Sequence, residues 1–376
     1  MISEPTREII RARLPGLVCL SVLCGILVAG LWPFHAPRNA VTWLENQNGL
    51  RFGRYGTIVS SGVFQMAGSG DEASSSLEIW LQPGRSNASS IFLSFSTPEN
   101  PLQFSLNQYF STLVLQREIQ SRQLRIGIER AFRQIQPSFI TITSSTQQTA
   151  MYVNGALARI FPQFQLGKDL TGQLVIGASP VASDTWRGQL LGLAIYHQEL
   201  TAAEVLQHYD TWTKQGRPEL SGNERAIALY LFSERSGNIV HNAVQPGIDL
   251  HIPERFSLLQ QPFLEPFWKE YKPGWEHWVD SLLINIVGFI PLGFFFCAYW
   301  SYRRPLKRPA VVTTVLGLAI SLTIEVLQAY LPTRTSGTTD LLTNTLGTFL
   351  GVMLYGSKTA RALLAKVYES PFLRKG

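Results

Sequence analysis

The chain has 376 residues, which is enough for two domains of ordinary size. Charged residues make up only 15% of it, and its apolar residues concentrate in a few long runs. The net charge of +6 comes from basic residues beside those runs, so it gives no support to nucleic-acid binding.

Four apolar runs are predicted to be transmembrane helices, since crossing about 30 Å of hydrocarbon takes about 20 helical residues. They cover residues 17–32, 279–300, 310–331 and 341–355, and the fourth is the shortest. We therefore assign residues 17–34 to the first membrane helix and residues 279–356 to three more. A cleaved signal peptide is the alternative for the first run, but the bulky sequence WPFHAPR after it favours an uncleaved anchor.

Basic residues predict the orientation, because cytoplasmic segments beside membrane helices carry an excess of Lys and Arg. Such residues precede the first run, separate the second from the third and follow the fourth: Arg7, Arg11, Arg13, Arg303, Arg304, Lys307, Arg308, Lys358, Arg361, Lys366, Arg374 and Lys375. We expect residues 1–16 and the basic tail 357–376 to be cytoplasmic. Residues 35–278 and the 332–339 loop would then face outward from a bacterial inner or plasma membrane.

Residues 36–255 are predicted to form an antiparallel β-sandwich, because short alternating strands are separated by Ser, Pro, Gly and Asn. The pair Asn154-Gly155 supplies the two positive-φ residues of a tight hairpin turn. Thr201 and Glu204 have the spacing of a capping box, which predicts one helix beginning there.

Four segments of this region resemble a laminin-G-like, concanavalin-A-like jelly-roll domain: SLEIWLQP, FITITSSTQQTAMYVNGALARI, LVIGAS and WRGQLLGLAIYHQELTAAEVLQHY. The resemblance covers roughly residues 40–250, and residues 228–244 look like a strand that usually opens such domains. It implies an all-β sandwich from a family in which many members bind glycans or proteins. Some members hold calcium, and some are glycosidases.

The sandwich lacks the sequence pattern of a hydrolase, which needs paired carboxylates, whereas Glu78 stands alone on its strand. Its loop acids are scattered, so we interpret them as solvated rather than as calcium ligands, and we predict no cofactor or metal: Asp71, Asp169, Asp184 and Asp249. Trp186 either stacks on a sugar or packs at the sandwich edge. Asn87 begins a weak match to a glycosylation acceptor.

Residues 256–278 are predicted to be an aromatic juxtamembrane linker, because Trp and Tyr suit the headgroup layer: Trp268, Tyr271, Trp275 and Trp278. The three runs after this linker carry polar residues at similar depth, which is unusual in a membrane helix. These candidate ligand-binding residues are Asp280, Asn285, Glu325, Gln328, Arg334, Asp340 and Asn344. Small or kinking residues are predicted to allow helix packing: Gly288, Pro291, Gly293, Gly347 and Gly351.

The segments DSLLINIVGFIPLGF and SLTIEVLQAYLPTRTSGTTDLLTNTLGTFLG resemble the VanZ-like family of small four-helix membrane proteins. The matching positions are Asn285, Phe289, Pro291, Leu292, Gly293, Glu325, Gln328, Arg334, Asp340, Asn344 and Gly347. The resemblance implies a multidomain membrane protein, with the jelly-roll sandwich inserted after the first helix of a four-helix transmembrane bundle. The family name comes from an association with glycopeptide-antibiotic resistance. The resemblance does not imply a particular biochemical activity for this chain.

Several functions remain open for the polar cluster. It could fix the helices, with Glu325 hydrogen-bonded to Asn285 or Asn344 and Arg334 paired with Asp340. It could instead bind an outer-leaflet headgroup, a lipid-linked envelope precursor or an antibiotic-related ligand. Glu325 and Asp340 could instead act as acid and base of an enzyme, and proton-coupled transport is a further alternative. The partners expected of the whole chain are the bilayer and one of three others: a cell-surface glycan, a lipid-linked precursor or an envelope protein.

Overall fold

The computed structural model describes residues 4–65, 74–84, 89–119, 122–132, 136–162, 164–166, 170–220, 225–244, 246–267, 275–302 and 304–369. The chain divides into two compact units. One comprises Ala36–Gln260, and the other combines Met1–His35 with Gln261–Gly376. The residues Asp71, Asn87, Asp169, Trp268 and Tyr271, considered above, lie outside the described residues.

The unit Ala36–Gln260 consists mainly of strands. In chain order they are β1 (Val41–Trp43), β2 (Leu50–Phe52), β3 (Ile58–Phe64), β4 (Ser75–Pro83), β5 (Ser89–Ser96), β6 (Phe104–Tyr109), β7 (Thr112–Ile119), β8 (Arg122–Ile128), β9 (Ser138–Ser144), β10 (Thr149–Val153), β11 (Ala156–Phe161), β12 (Gly172–Ile176), β13 (Gly188–Tyr196), β14 (Ala226–Tyr230), β15 (Ile239–Val240) and β16 (Leu250–His251).

These strands form two antiparallel sheets, which confirms the predicted β-sandwich. The first sheet has the order β1-β2-β13-β4-β9-β10-β11, with β14 paired to β13. The second has the order β15-β16-β3-β12-β5-β6-β7-β8. Segment 228–244 contributes to both sheets, because it contains most of β14 and all of β15.

Apolar side chains of both sheets form one large core, in which Leu77, Ile79 and Leu81 of β4 are fully buried. Their alternation along the strand places every second side chain on the core face. The predicted hairpin turn between β10 and β11 is confirmed, since Asn154 and Gly155 have φ values of 53° and 75°.

The helix α1 (Glu4–Leu31) belongs to the other unit, and the helix of the sandwich is α2 (Ala202–Gln215). The capping box predicted for α2 is present. The Glu204 carboxylate accepts from the Thr201 amide at 2.6 Å, and the Thr201 hydroxyl accepts from the Glu204 amide at 3.3 Å.

The second unit is helical and contains α1, α3 (Trp275–Tyr302), α4 (Pro309–Gln328), α5 (Thr338–Gly356) and α6 (Lys358–Glu369). Three described segments are long and apolar enough to cross a membrane: Arg13–Leu31, Leu282–Tyr302 and Pro309–Gln328. The fourth predicted span forms α5 but is not among them, because polar residues such as Asp340 and Asn344 lower its mean hydropathy. The segment predicted as a basic tail begins with α6.

Candidate functional site

Helices α3 and α5 approach each other with their backbones in contact. A Cβ added to any of three glycines would collide with a backbone carbonyl of the facing helix: Gly293, Gly347 and Gly351. Gly288 differs, because nothing lies near the position of its Cβ, and Pro291 lies inside α3. Close packing at the three glycines brings the polar residues at the adjoining ends of α3 and α5 within hydrogen-bonding reach.

Glu325 connects the end of α4 to the beginning of α5. Its side chain is only 1% exposed, and its carboxylate accepts a hydrogen bond from the Gly337 amide at 2.8 Å. Gly337 is the N-cap residue of α5, where backbone amides lack intrahelical acceptors. A carboxylate there is also stabilised by the positive end of the helix dipole. This contact accounts for a buried carboxylate between apolar helices.

Two other polar side chains bind the last carbonyls of α1. The Gln328 amide donates to the Gly30 carbonyl at 2.8 Å. The Arg334 guanidinium donates to the Ala29 carbonyl at 3.3 Å and also to the Trp32 carbonyl. The last four carbonyls of a helix have no intrahelical partner, and a cation there complements the helix dipole. Arg334 thus caps α1, rather than forming the ion pair with Asp340 that we considered.

The remaining contacts join α5 to its neighbours. Asn285 of α3 donates to the Asp340 carboxylate at 2.6 Å, and both side chains are half-buried. Asn344 donates to the Ser321 hydroxyl of α4 at 3.0 Å. Asp280 is exposed, and the described contacts do not join it to the others. Six of the seven predicted residues therefore make contacts between different segments of the helical unit.

Three atoms of this cluster remain without a hydrogen-bond partner among the described residues. They are Oε1 of Gln328, Oδ1 of Asn344 and Nε of Arg334. Gln328 is 7% exposed and Asn344 is 5% exposed. Leaving a buried polar atom unpaired costs about 1–3 kcal/mol, so a water molecule or a ligand group would bind favourably to any of the three.

The sequence pattern did not indicate Gln261, which lies just after the sandwich. Its amide donates to three carbonyls of the segment between α4 and α5, those of Gln328 at 3.2 Å, Leu331 at 2.6 Å and Arg334 at 3.0 Å. Glu265 nearby forms a parallel bridge with Gly337. Part of the predicted linker thus packs against the α4–α5 connection. No local motif signals this, because the partners are about 70 residues away in sequence.

Glu78 of the sandwich is completely buried, with partners from two other elements. The Tyr196 hydroxyl of β13 donates to its carboxylate at 2.8 Å, and Nδ1 of His208 in α2 lies 3.0 Å away. All three side chains are 0% exposed. These contacts attach α2 to the first sheet, and their burial leaves no access for a substrate.

Trp186 is also buried and lies in the core between the rings of Phe52 and Phe92, at centroid distances of 5.7 and 6.0 Å. Of the two interpretations given above, stacking on a sugar therefore does not agree with its position. Asp249 accepts from the Asn242 amide at 2.9 Å. Across the described residues, no group of three or more His, Cys, Asp or Glu side chains is placed to hold a metal ion.

The two units define a chain that joins a β-sandwich domain to helices of membrane-spanning length. Residues 226–359 match the family model VanZ/LLP1. Residues 58–206 match a laminin-G model described as the concanavalin A-like lectin/glucanases superfamily. The chain thus contains a VanZ-like domain and a laminin-G-like domain, which confirms both resemblances. The VanZ match begins at β14, within the last strands of the sandwich.

Similar solved structures include the SAP-like pentraxin from Limulus polyphemus, with 14% identity, a TM-score of 0.37, and 58% of this chain and 96% of that chain covered. Another is the binding domain of botulinum neurotoxin DC in complex with rat synaptotagmin II, with 15% identity, a TM-score of 0.35 and 46% of each chain covered. The chain thus spans less than half of that toxin structure. Likenesses this slight carry no functional conclusion. A search of curated proteins found no match.

Proposed function

We propose that this chain is a multi-pass membrane protein of the bacterial cell envelope, in which four helical spans anchor a laminin-G-like domain that binds a glycan outside the cytoplasm. The observation that carries the proposal is the combination, in one chain, of a compact sandwich with its own core and helices whose exposed side chains are apolar. The superfamily to which the sandwich is similar includes both lectins and glucanases. The complete burial of Glu78 favours glycan binding over catalysis in this chain.

The exposed surface of α5 supports the fourth span. Its outward side chains are large and apolar, whereas a helix surrounded by water presents polar residues there: Leu342, Leu346, Phe349, Leu350, Met353 and Leu354. Its polar residues Asn344 and Thr348 are buried instead. An even number of spans places both termini on the basic, cytoplasmic side and residues 36–260 on the outer side.

The simplest role of the polar cluster is structural: it holds the outer ends of the helices together. Glu325, Gln328 and Arg334 each bind a backbone group of another segment. The burial of Glu325 and its hydrogen bond to the Gly337 amide argue against an enzyme in which this carboxylate meets a substrate.

A second candidate function is favoured by the unpaired atoms of the same cluster. Oε1 of Gln328 and Oδ1 of Asn344 are acceptors, and Nε of Arg334 is a donor. A headgroup of the outer leaflet that carries hydroxyl and anionic groups, such as that of a lipid-linked envelope precursor, would complement them.

Glycan binding is tested with the full-length chain, purified in detergent and applied to an array of bacterial envelope polysaccharides and their oligosaccharide fragments. We expect retention on a subset of the glycans, and the same glycans free in solution should compete for it. The control is the same chain after irreversible heat denaturation. Absence of retention on every glycan would contradict this function and would leave the bundle's headgroup site as the better candidate.

A further inference from the structure

A groove of about 450 Å³ crosses strands β5 to β8 of the second sheet. Five polar residues line it together with Val114, Ile126 and Gly127: Ser89, Asn107, Tyr109, Gln116 and Arg125. The residues that alternate with these along the strands, such as Leu106 and Leu115, are fully buried in the core. The groove therefore lies on the face of the sheet that points away from the core.

The strand register places the lining residues in rows across the sheet. Gln116 of β7 pairs with Ser105 of β6 on one side and with Arg125 of β8 on the other. In the neighbouring row, Val114 pairs with Asn107 and with Gly127. Four adjacent strands span three spacings of about 4.8 Å each, so the groove has room for a short oligosaccharide.

An exposed aromatic ring stands at one end of the groove. Tyr109 is 54% exposed, and its ring packs edge to face against Phe110 at a centroid distance of 4.9 Å. Phe110 has a φ of 54°, a conformation that is unfavourable for a bulky residue and is often associated with binding sites. The Tyr109–Phe110 turn thus presents a flat ring with a polar tip beside the amide side chains of the groove.

Buried residues hold this turn in place. The amide of Gln108, which is fully buried, donates to the Phe110 carbonyl at 3.1 Å and accepts from the Trp186 indole at 2.8 Å. The Tyr109 ring is therefore positioned before a ligand arrives, so that binding costs less conformational entropy.

The charge in the lining of the groove is positive. Arg125 is the cation in its lining, which contains no carboxylate among the described residues. The Arg125 guanidinium is oriented by a 2.9 Å hydrogen bond to the Gln123 side chain. Guanidinium groups bind carboxylates and phosphates strongly, and the amides of Asn107 and Gln116 suit sugar hydroxyls.

From this geometry we infer that the laminin-G-like domain binds an acidic oligosaccharide in this groove, with a sugar ring stacked on Tyr109 and its anionic group on Arg125. The inference rests on the proposed function and deepens it by naming the site and the ligand class.

The test uses the full-length chain in detergent on an array of acidic oligosaccharides, each paired with its carboxyl-esterified, neutral form. Arg125→Gln should weaken binding to the acidic forms by about tenfold, the loss expected for one charge-assisted hydrogen bond, and should leave the neutral forms unchanged. Tyr109→Ala should weaken binding to both the acidic and the neutral forms, by about fivefold or more.

The matched control is Arg159→Gln, since Arg159 is an exposed arginine on β11 of the other sheet. It should bind like the wild type, and all variants should keep their unfolding temperatures. If the wild type binds glycans and both groove variants bind them as tightly as the wild type does, the groove is not the binding site. The proposed function of glycan binding would still stand in that case. If the wild type binds only neutral glycans, the ligand class is wrong. If it binds none, both proposals fail.

Discussion

Single polar side chains in this chain repeatedly satisfy backbone groups at helix ends. Glu325 accepts from the amide that precedes α5, and Arg334 donates to the last carbonyls of α1. Such terminal groups have no partner within their own helix, and lipid offers none. Burying such a side chain costs desolvation energy, but its hydrogen bond to the helix end offsets this cost, because the backbone group would otherwise stay unpaired.

Substitution of Glu325 tests this structural role. Glu325→Ala leaves the Gly337 amide without its acceptor and should lower the free energy of unfolding by about 1–3 kcal/mol. Glu325→Gln keeps a carbonyl oxygen at the same place and should lose less. The measurement is thermal unfolding of the purified full-length chain in detergent.

Asp280→Ala is the control for the Glu325 substitutions, because Asp280 is exposed and lies outside the described contacts of the cluster. It should change stability by less than about 0.5 kcal/mol. Equal stability of Glu325→Ala and the wild type would show that the carboxylate does not hold α5, and a role in ligand binding would then gain support.

At the scale of helices and strands, α3 and α5 pack against each other through glycines on their facing sides. The predicted pair Gly347 and Gly351 faces the backbone of α3, and Gly293 of α3 faces that of α5. Small residues allow this approach, and van der Waals contact between backbones is a main source of association between helices in lipid.

Gly347→Ala should separate α3 from α5, because the new Cβ would collide with the Ile286 carbonyl. We expect a loss of about 1–3 kcal/mol in the free energy of unfolding, as for other overpacked sites. Gly288→Ala is the matched control on α3, since nothing lies near its Cβ position. It should be neutral or slightly stabilising, because Ala favours a helix over Gly by up to about 1 kcal/mol. Equal effects of both substitutions in thermal unfolding would contradict the packing role.

Local elements could be predicted from sequence because their signals are local. The turn at Asn154-Gly155 and the cap at Thr201 and Glu204 depend on residues within a few positions of each other. The partners of Glu78 could not be predicted, because Tyr196 and His208 are separated from it by 118 and 130 residues.

In the candidate sites, too, some residues could be identified from sequence, whereas their partners could not. The polar residues of the bundle stand out in sequence because carboxylates and amides are rare in apolar runs. Their individual partners depend on how the helices pack, and neither the capping by Arg334 nor the contacts of Gln261 has a sequence signature. The groove residues Asn107, Gln116 and Arg125 look in sequence like any outward-facing strand residues, and only the register of four strands brings them together.

For the whole molecule, the number of spans decides which side of the membrane each segment occupies. With four spans, the segments carrying Arg304, Lys307 and Lys358 all lie on one side, as the excess of basic residues there favours. With three spans, α5 would stay on the outer surface. Its exposed leucines would then need another apolar partner.

Cysteine labelling distinguishes the two topologies. After replacement of Cys19, Cys24 and Cys297 by Ala, single cysteines are introduced at exposed positions and treated with a membrane-impermeant maleimide in intact spheroplasts. Arg159→Cys and Thr335→Cys should react at once, and Lys307→Cys only after permeabilisation. Lys358→Cys is decisive, because it follows α5 directly. Four spans require that it react only after permeabilisation, whereas reaction in intact spheroplasts would mean that α5 does not cross the membrane.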